Sequence, residues 1–182
     1  MIEGGNITAT GGDNSAGIGS GYQSSSCGDI TISGGTVIAT GNSHGAGIGS
    51  GYQSSCGDIT ISGGTVIATG NSQGAGIGCA YASTCGNITI SGGTVTAKGS
   101  GEFAGIGSGL DAKCGNITIQ NTVTKVTAEK GSEANLHSIG KGWSSNSTCG
   151  TVTIGGTIYW QDNAELNDGN TYLATSPFIY QP

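Results

Sequence analysis

Five of the six cysteines in this chain share one position of a repeating pattern. Cys27, Cys56, Cys85 and Cys114 follow one another at intervals of 29 residues, and Cys149 comes 35 residues later. The sixth, Cys79, stands where the preceding copy has Ser50. Regularly spaced cysteines can form a disulfide framework or ligate a metal. Asp29, Asp58, Asn87 and Asn116 make a second column whose oxygens are of the kind calcium takes. Tyr22, Tyr52, Tyr81 and Trp143, with Leu110 in the same row, make a third. Such a row could offer flat apolar faces to sugar rings, with Ser and Gln beside it as hydrogen-bonding groups. Charge gathers late, at Lys98, Glu102, Asp111, Lys113, Lys125, Glu129, Lys130, Glu133, His137 and Lys141, the one stretch where acid–base chemistry could be assembled.

The elements that would position these columns follow from the repeat itself. Cys27-Gly-Asp-Ile-Thr-Ile-Ser-Gly-Gly-Thr-Val-Ile-Ala-Thr-Gly returns from Cys56, then from Cys85 as CGNITISGGTVTAKG, from Cys114 as CGNITI and from Cys149 as CGTVTIGG. A fixed period of this length marks a solenoid, in which each unit buries its apolar face only against its neighbours. Each unit holds three segments of strand character. In Ile30-Thr31-Ile32 and its copies, period-two alternation turns the outer pair inward and the Thr outward. In Thr36-Val37-Ile38-Ala39-Thr40 it turns Val37 and Ala39 inward. The third segment is Ala16-Gly17-Ile18-Gly19, repeated from Ala46, Ala75 and Ala104, with Ser138-Ile139-Gly140 as the last copy.

Three short strands and three glycine- or serine-rich corners per 29-residue unit predict an all-β fold, a parallel β-helix of about five coils over residues 1–155. Right-handed winding is the expectation from crossover chirality. Residues 156–182 break the pattern and hold both prolines with Tyr159, Trp160, Tyr172, Phe178 and Tyr180. They are expected to form a cap, since an open solenoid end exposes apolar cross-section and unpaired strand edges. The first residues align inside a repeat, Met1 with Thr31, so the chain is expected to be a fragment of a longer protein.

Stacking narrows the chemistry of the columns. In-register neighbours lie roughly 4.8 Å apart, whereas a disulfide wants its β-carbons at about 3.8 Å. Zinc needs a tetrahedral cluster, not a column. The cysteines therefore read as an internal ladder of free thiols acting as small hydrophobes, with no metal and no cofactor. Cys79 and Cys85, on either side of one corner, are the pair that could bridge. The Asp/Asn column reads as side chains bonding adjacent backbone; calcium is the minor alternative. Alternation from Ile18 through Ser20 would turn Tyr22 inward, so two readings of the aromatic row stand: an exposed ligand-binding row, or rings closing a corner. Gly17, Gly19, Gly47, Gly49, Gly76, Gly78, Gly105 and Gly107 leave one strand face almost without side chains, which suggests either docking of another surface or tight coil curvature. His44 reads as a solvated loop residue.

The net charge is −6, with five Lys and no Arg. That balance argues against nucleic acid, whose recognition leans on clustered Arg and Lys. No apolar run approaches the roughly 20 residues that cross a bilayer. The unit CGxITISGGTVxATGxxxGAGIGSG resembles the glycine-rich β-helix repeats of secreted and surface proteins of anaerobic and gut bacteria, some grouped with carbohydrate-binding domains. The resemblance implies an extracellular or cell-surface setting. Polysaccharide, another surface protein, and lateral or end-to-end self-association are the contacts to expect. A non-catalytic module for adhesion or polysaccharide binding is the leading reading, a structural stalk the second, and a polysaccharide lyase-like enzyme the third.

Overall fold

Ile-Thr-Ile is too short to be stable alone, and it becomes a strand because the same triplet lies above and below it. The computed structural model describes residues 1–101, 103–132, 137–162 and 164–182. Ile30–Ile32, Ile59–Ile61, Ile88–Ile90, Ile117–Ile119 and Val152–Ile154 form one parallel ladder, pairing Ile with Ile and Thr with Thr; at its last step Ile117 meets Val152. The longer strands Asn6–Thr10, Thr36–Thr40, Thr65–Thr69, Thr94–Lys98 and Lys125–Glu129 form a second. Ile18–Gly19, Ile48–Gly49, Ile77–Gly78, Ile106–Gly107 and Ile139–Gly140 form a third. Four turns of the chain thus link five parallel strands in each ladder. The chain is a parallel β-solenoid.

The structure adds a fourth ladder where the sequence suggested only a corner. Ser26–Cys27, Ser55–Cys56, Thr84–Cys85, Lys113–Cys114 and Thr148–Cys149 pair in register. Each strand has two residues, too few for any alternation to show. Each coil therefore has four strands, not three. All four ladders turn apolar side chains into one spine. Ile32, Ile61, Ile90 and Ile119 are fully buried, as are Val37, Val66, Val95 and Val126 and the alanines two residues beyond them. Burying one such Ile contributes about 1.5–3 kcal/mol, so the repeated positions supply most of the driving force.

From residue 155 the chain leaves the repeat. Thr157–Gln161 turns back antiparallel on Val152–Ile154 and pairs in turn with Ala164–Glu165. The short helix Gly169–Ala174 then brings Leu173 onto the core, and Phe178–Tyr180 adds an antiparallel strand beside Lys125–Glu129. Leu173 and Phe178 are buried, and the Ser138 amide and hydroxyl donate to the Leu173 and Thr175 carbonyls at 2.7 and 2.6 Å. Among the described residues no helix is long and apolar enough to cross a membrane.

One backbone column sets how tightly the coils wind. Gly19, Gly49, Gly78, Gly107 and Gly140 hold φ between 129° and 140°, a region L side chains rarely adopt. A β-carbon on Gly49 would run into the Gly78 carbonyl of the next coil. Gly28 has neither constraint, with open space where its β-carbon would go. Gly49→Ala is therefore expected to lower stability by about 3 kcal/mol or more, while Gly28→Ala stays within about 0.5 kcal/mol of the parent. Denaturant unfolding of the two variants checks this.

Candidate functional site

The aromatic row is at the surface. After Ser20 and its equivalents the chain turns through a left-handed residue, Gln23, Gln53, Ala82 or Asp111, with φ from 38° to 54°. The strand has ended before the turn, so alternation stops at the buried serine and the next ring swings out. The inward reading of Tyr22 is thereby overturned. Tyr22 is 47% exposed and Trp143 51%, while Tyr52, Tyr81 and Leu110 are half-buried. Ring centroids step along the row at 5.6 Å from Tyr22 to Tyr52 and 5.3 Å from Tyr52 to Tyr81, the second pair nearly parallel. His44 is not a solvated loop residue: it is half-buried, with its ring 5.5 Å from Tyr52. Beside the rings, Gln23 donates through Nε2 to Gln53 Oε1 at 3.2 Å. Next to Trp143, the Ser144 hydroxyl and the Asn146 amide donate to Asp111 Oδ1 at 2.6 and 3.1 Å.

The glycine face is not a docking surface. Gly47, Gly49, Gly76, Gly78, Gly105 and Gly107 are buried by the chain's own backbone, while Gly17 is half-buried and Gly19 exposed at the first coil. A β-carbon on Gly17, Gly47, Gly76 or Gly105 would meet the main chain at the end of a long strand, at Thr40, Thr69, Lys98 and Glu129 respectively. Tight winding, not an external partner, accounts for these residues.

The Asp/Asn column has a structural partner at every step. Asp29 Oδ1 accepts from the Asp58 amide at 2.9 Å, Asp58 from Asn87 at 2.7 Å, Asn87 from Asn116 at 2.9 Å and Asn116 from Thr151 at 2.9 Å. Each side chain bonds one coil onward, and either Asp or Asn can serve because only an acceptor oxygen is used.

A polar ladder inside the core went unnoticed in the sequence. The Ser20 and Ser54 hydroxyls lie 2.7 Å apart, and those of Ser50 and Ser83 2.6 Å, each pair spanning neighbouring coils. Further bonds to main chain complete them: Ser54 donates to the Gly51 carbonyl and Ser83 to that of Ala80. At the next step both hydroxyls are gone: Cys79 takes the place of Ser50, and Ala112 that of Ser83. Losing them together leaves no buried hydroxyl without its partner, which would otherwise cost about 1–3 kcal/mol. The signal was present in the sequence as Ser or Ala two residues before each cysteine.

Cys79 and Cys85 form a disulfide across residues 80–84, with Cα atoms 5.8 Å apart. Cys56, Cys114 and Cys149 are buried free thiols, and Cys27 is half-buried. Desolvation pushes the Cys149 thiol from its ordinary 9.0 up to about 12, and raises Cys56 and Cys114 as well.

The family model described as a beta helix repeat matches residues 1–22, 30–52, 59–81 and 88–110, together half of the chain. The chain belongs to the beta helix repeat family. Each matched beta helix repeat ends on the aromatic row, at Tyr22, Tyr52, Tyr81 or Leu110, so the row borders the variable corner that the match leaves out. The comparisons with curated proteins and with solved structures give no match.

Past the last matched beta helix repeat, a cleft of about 350 Å³ opens between the final cysteine strands and the C-terminal hairpin, lined by Cys114, Asn116, Thr148, Cys149, Thr151 and Asp162. Of the late charged residues, Lys98 and Glu129 form an ion pair at 3.4 Å on neighbouring strands, an exposed contact of small energetic weight. Glu102 and Glu133 lie outside the described residues.

Cys149 gives a pH prediction. Its folded pKa lies above the unfolded value, so between about pH 9 and pH 12 the unfolded chain loses a proton that the folded chain keeps. Stability from this group is therefore constant below about pH 9 and falls as pH rises toward 12. Thermal unfolding followed from pH 8 to 11 is expected to show a shallower alkaline decline in Cys149→Ala than in the parent; equal slopes would contradict the assignment.

Proposed function

We propose that this chain is a non-catalytic adhesion module of an extracellular or cell-surface bacterial protein, and that it binds polysaccharide along its aromatic row. The observation that carries this reading is the surface row of Tyr22, exposed, and Tyr52 and Tyr81, half-buried, with ring centroids 5.6 and 5.3 Å apart. A polymer with a regular repeat can meet a row with a regular repeat many times over, and multiple weak contacts then add as avidity. Gln23, Gln53 and Asp111 flank the row with hydrogen-bonding groups suited to hydroxyls. The net charge of −6 favours neutral over anionic chains. That the main-chain ladders run unbroken through all five strands favours a second reading, a rigid stalk whose rings only close its corners.

A glycan array separates the two. The binder reading expects capture of one or more neutral polysaccharides. Tyr52→Ala and Trp143→Ala should each weaken that binding roughly tenfold, the scale of one lost aromatic contact. Binding to no polysaccharide, or binding unchanged in both variants, would leave the stalk reading in its place.

A further inference from the structure

The repeat builds a column of sulfurs, and at one level it builds a cluster. The sulfur atoms of Cys79, Cys85 and Cys114 all lie within 4.8 Å of one another, and all three side chains are buried. Cys85 and Cys114 are successive members of the column, paired in register. Cys79 joins them from the neighbouring ladder, at the one step where the internal hydroxyl pair is replaced by Cys and Ala. Without Cys79 the sulfurs would form only a line; with it they form a triangle, the arrangement a three-coordinate ion takes.

The geometry points to a soft-metal site: in its reduced state this chain binds one monovalent copper ion between Cys79, Cys85 and Cys114. Thiolates select copper(I) and zinc among the common ions. Zinc in a structural site takes four ligands, whereas this cluster brings three ligand atoms together. Copper(I) is satisfied by sulfur alone and needs no water, which suits a buried site. Cys114 also lines the cleft beneath the C-terminal hairpin, where the Asp162 carboxylate and the Asn116 amide stand on the wall. An anionic group on that wall favours a cation in the cleft.

The disulfide makes the site redox-gated. While Cys79 and Cys85 are joined, two of the three ligands are tied up in the S–S bond. An external dithiol supplies two electrons and two protons: the S–S bond breaks, two thiols form, and the dithiol leaves as its own disulfide. Copper(I) then displaces the thiol protons, which pass to solvent as the metal–sulfur bonds form.

The test uses the full chain, reduced with a phosphine, freed of reductant under anaerobic conditions and titrated with copper(I) against a chromophoric copper(I) chelator. About one equivalent is expected to be taken from the chelator, with a thiolate-to-copper absorption band in the near ultraviolet. The oxidised chain is expected to take up at least tenfold less. Cys79→Ala is expected to lose the site, and Cys27→Ala, far along the column, to keep it. Because Cys79→Ala also removes the disulfide, Cys114→Ala serves as the second variant: it keeps the disulfide pair and is also expected to lose the site. Uptake unaffected by Cys79→Ala and Cys114→Ala, equal uptake by the oxidised chain, or retention of zinc with no copper(I) would each overturn the assignment.

Discussion

Each coil of this protein is held by the coils on either side through main-chain hydrogen bonds that pair like residue with like. The bonds run along all four ladders, and a shift by one residue in either of the two longer-stranded ones would turn Ile, Val and Ala out and Thr in. Register is therefore the constraint on which the rest depends. It stacks Ile32 under Ile61 and Ile61 under Ile90, and it lets a 182-residue chain with few large side chains form a continuous core. It also reaches the polar residues. The Asp/Asn column bonds coil to coil because the next copy's amide always arrives at the same place, and the serine pairs do likewise inside the core.

Register also explains the surfaces. Any residue type written into the repeat becomes a row along the axis, whether it has a ligand or not. The tyrosines form such a row at the outer corner, where the left-handed turn swings them outward. The thiols form another inside, where burial raises their pKa. Two features then arise where the repeat is broken: at Cys79, which turns a line of sulfurs into a disulfide and a cluster, and beside the C-terminal hairpin, where a cleft lies against the last cysteine strands.

Much of the fold was legible because one period repeats almost without change. The inward faces of Ile-Thr-Ile and Thr-Val-Ile-Ala-Thr follow from alternation alone, and the structure agrees at every copy. The bridge between Cys79 and Cys85 was legible because a short corner separates them. What alternation could not show lay at corners and in short strands. Ser26–Cys27 is too brief to carry a period, and Tyr22 faces outward because the strand ends before it. The glycine rows were ambiguous for another reason: a missing side chain leaves room equally for a partner or for the neighbouring coil, and only the position of Thr69 and Gly78 against Gly47 and Gly49 decides between them. The geometry of the row is legible and a ligand is not, since rings at regular intervals along a corner state a spacing but name no partner.

The most direct measurement of the central claim is the set of contacts between isoleucine δ-methyl groups in methyl-labelled protein, observed as nuclear Overhauser effects. Stacking of like upon like predicts an unbroken chain of contacts from Ile32 through Ile61, Ile90 and Ile119 to Ile154, each residue touching its counterpart one coil away. Contacts that skip a coil, or that join Ile61 to residues of unlike position in place of Ile32 and Ile90, would contradict it.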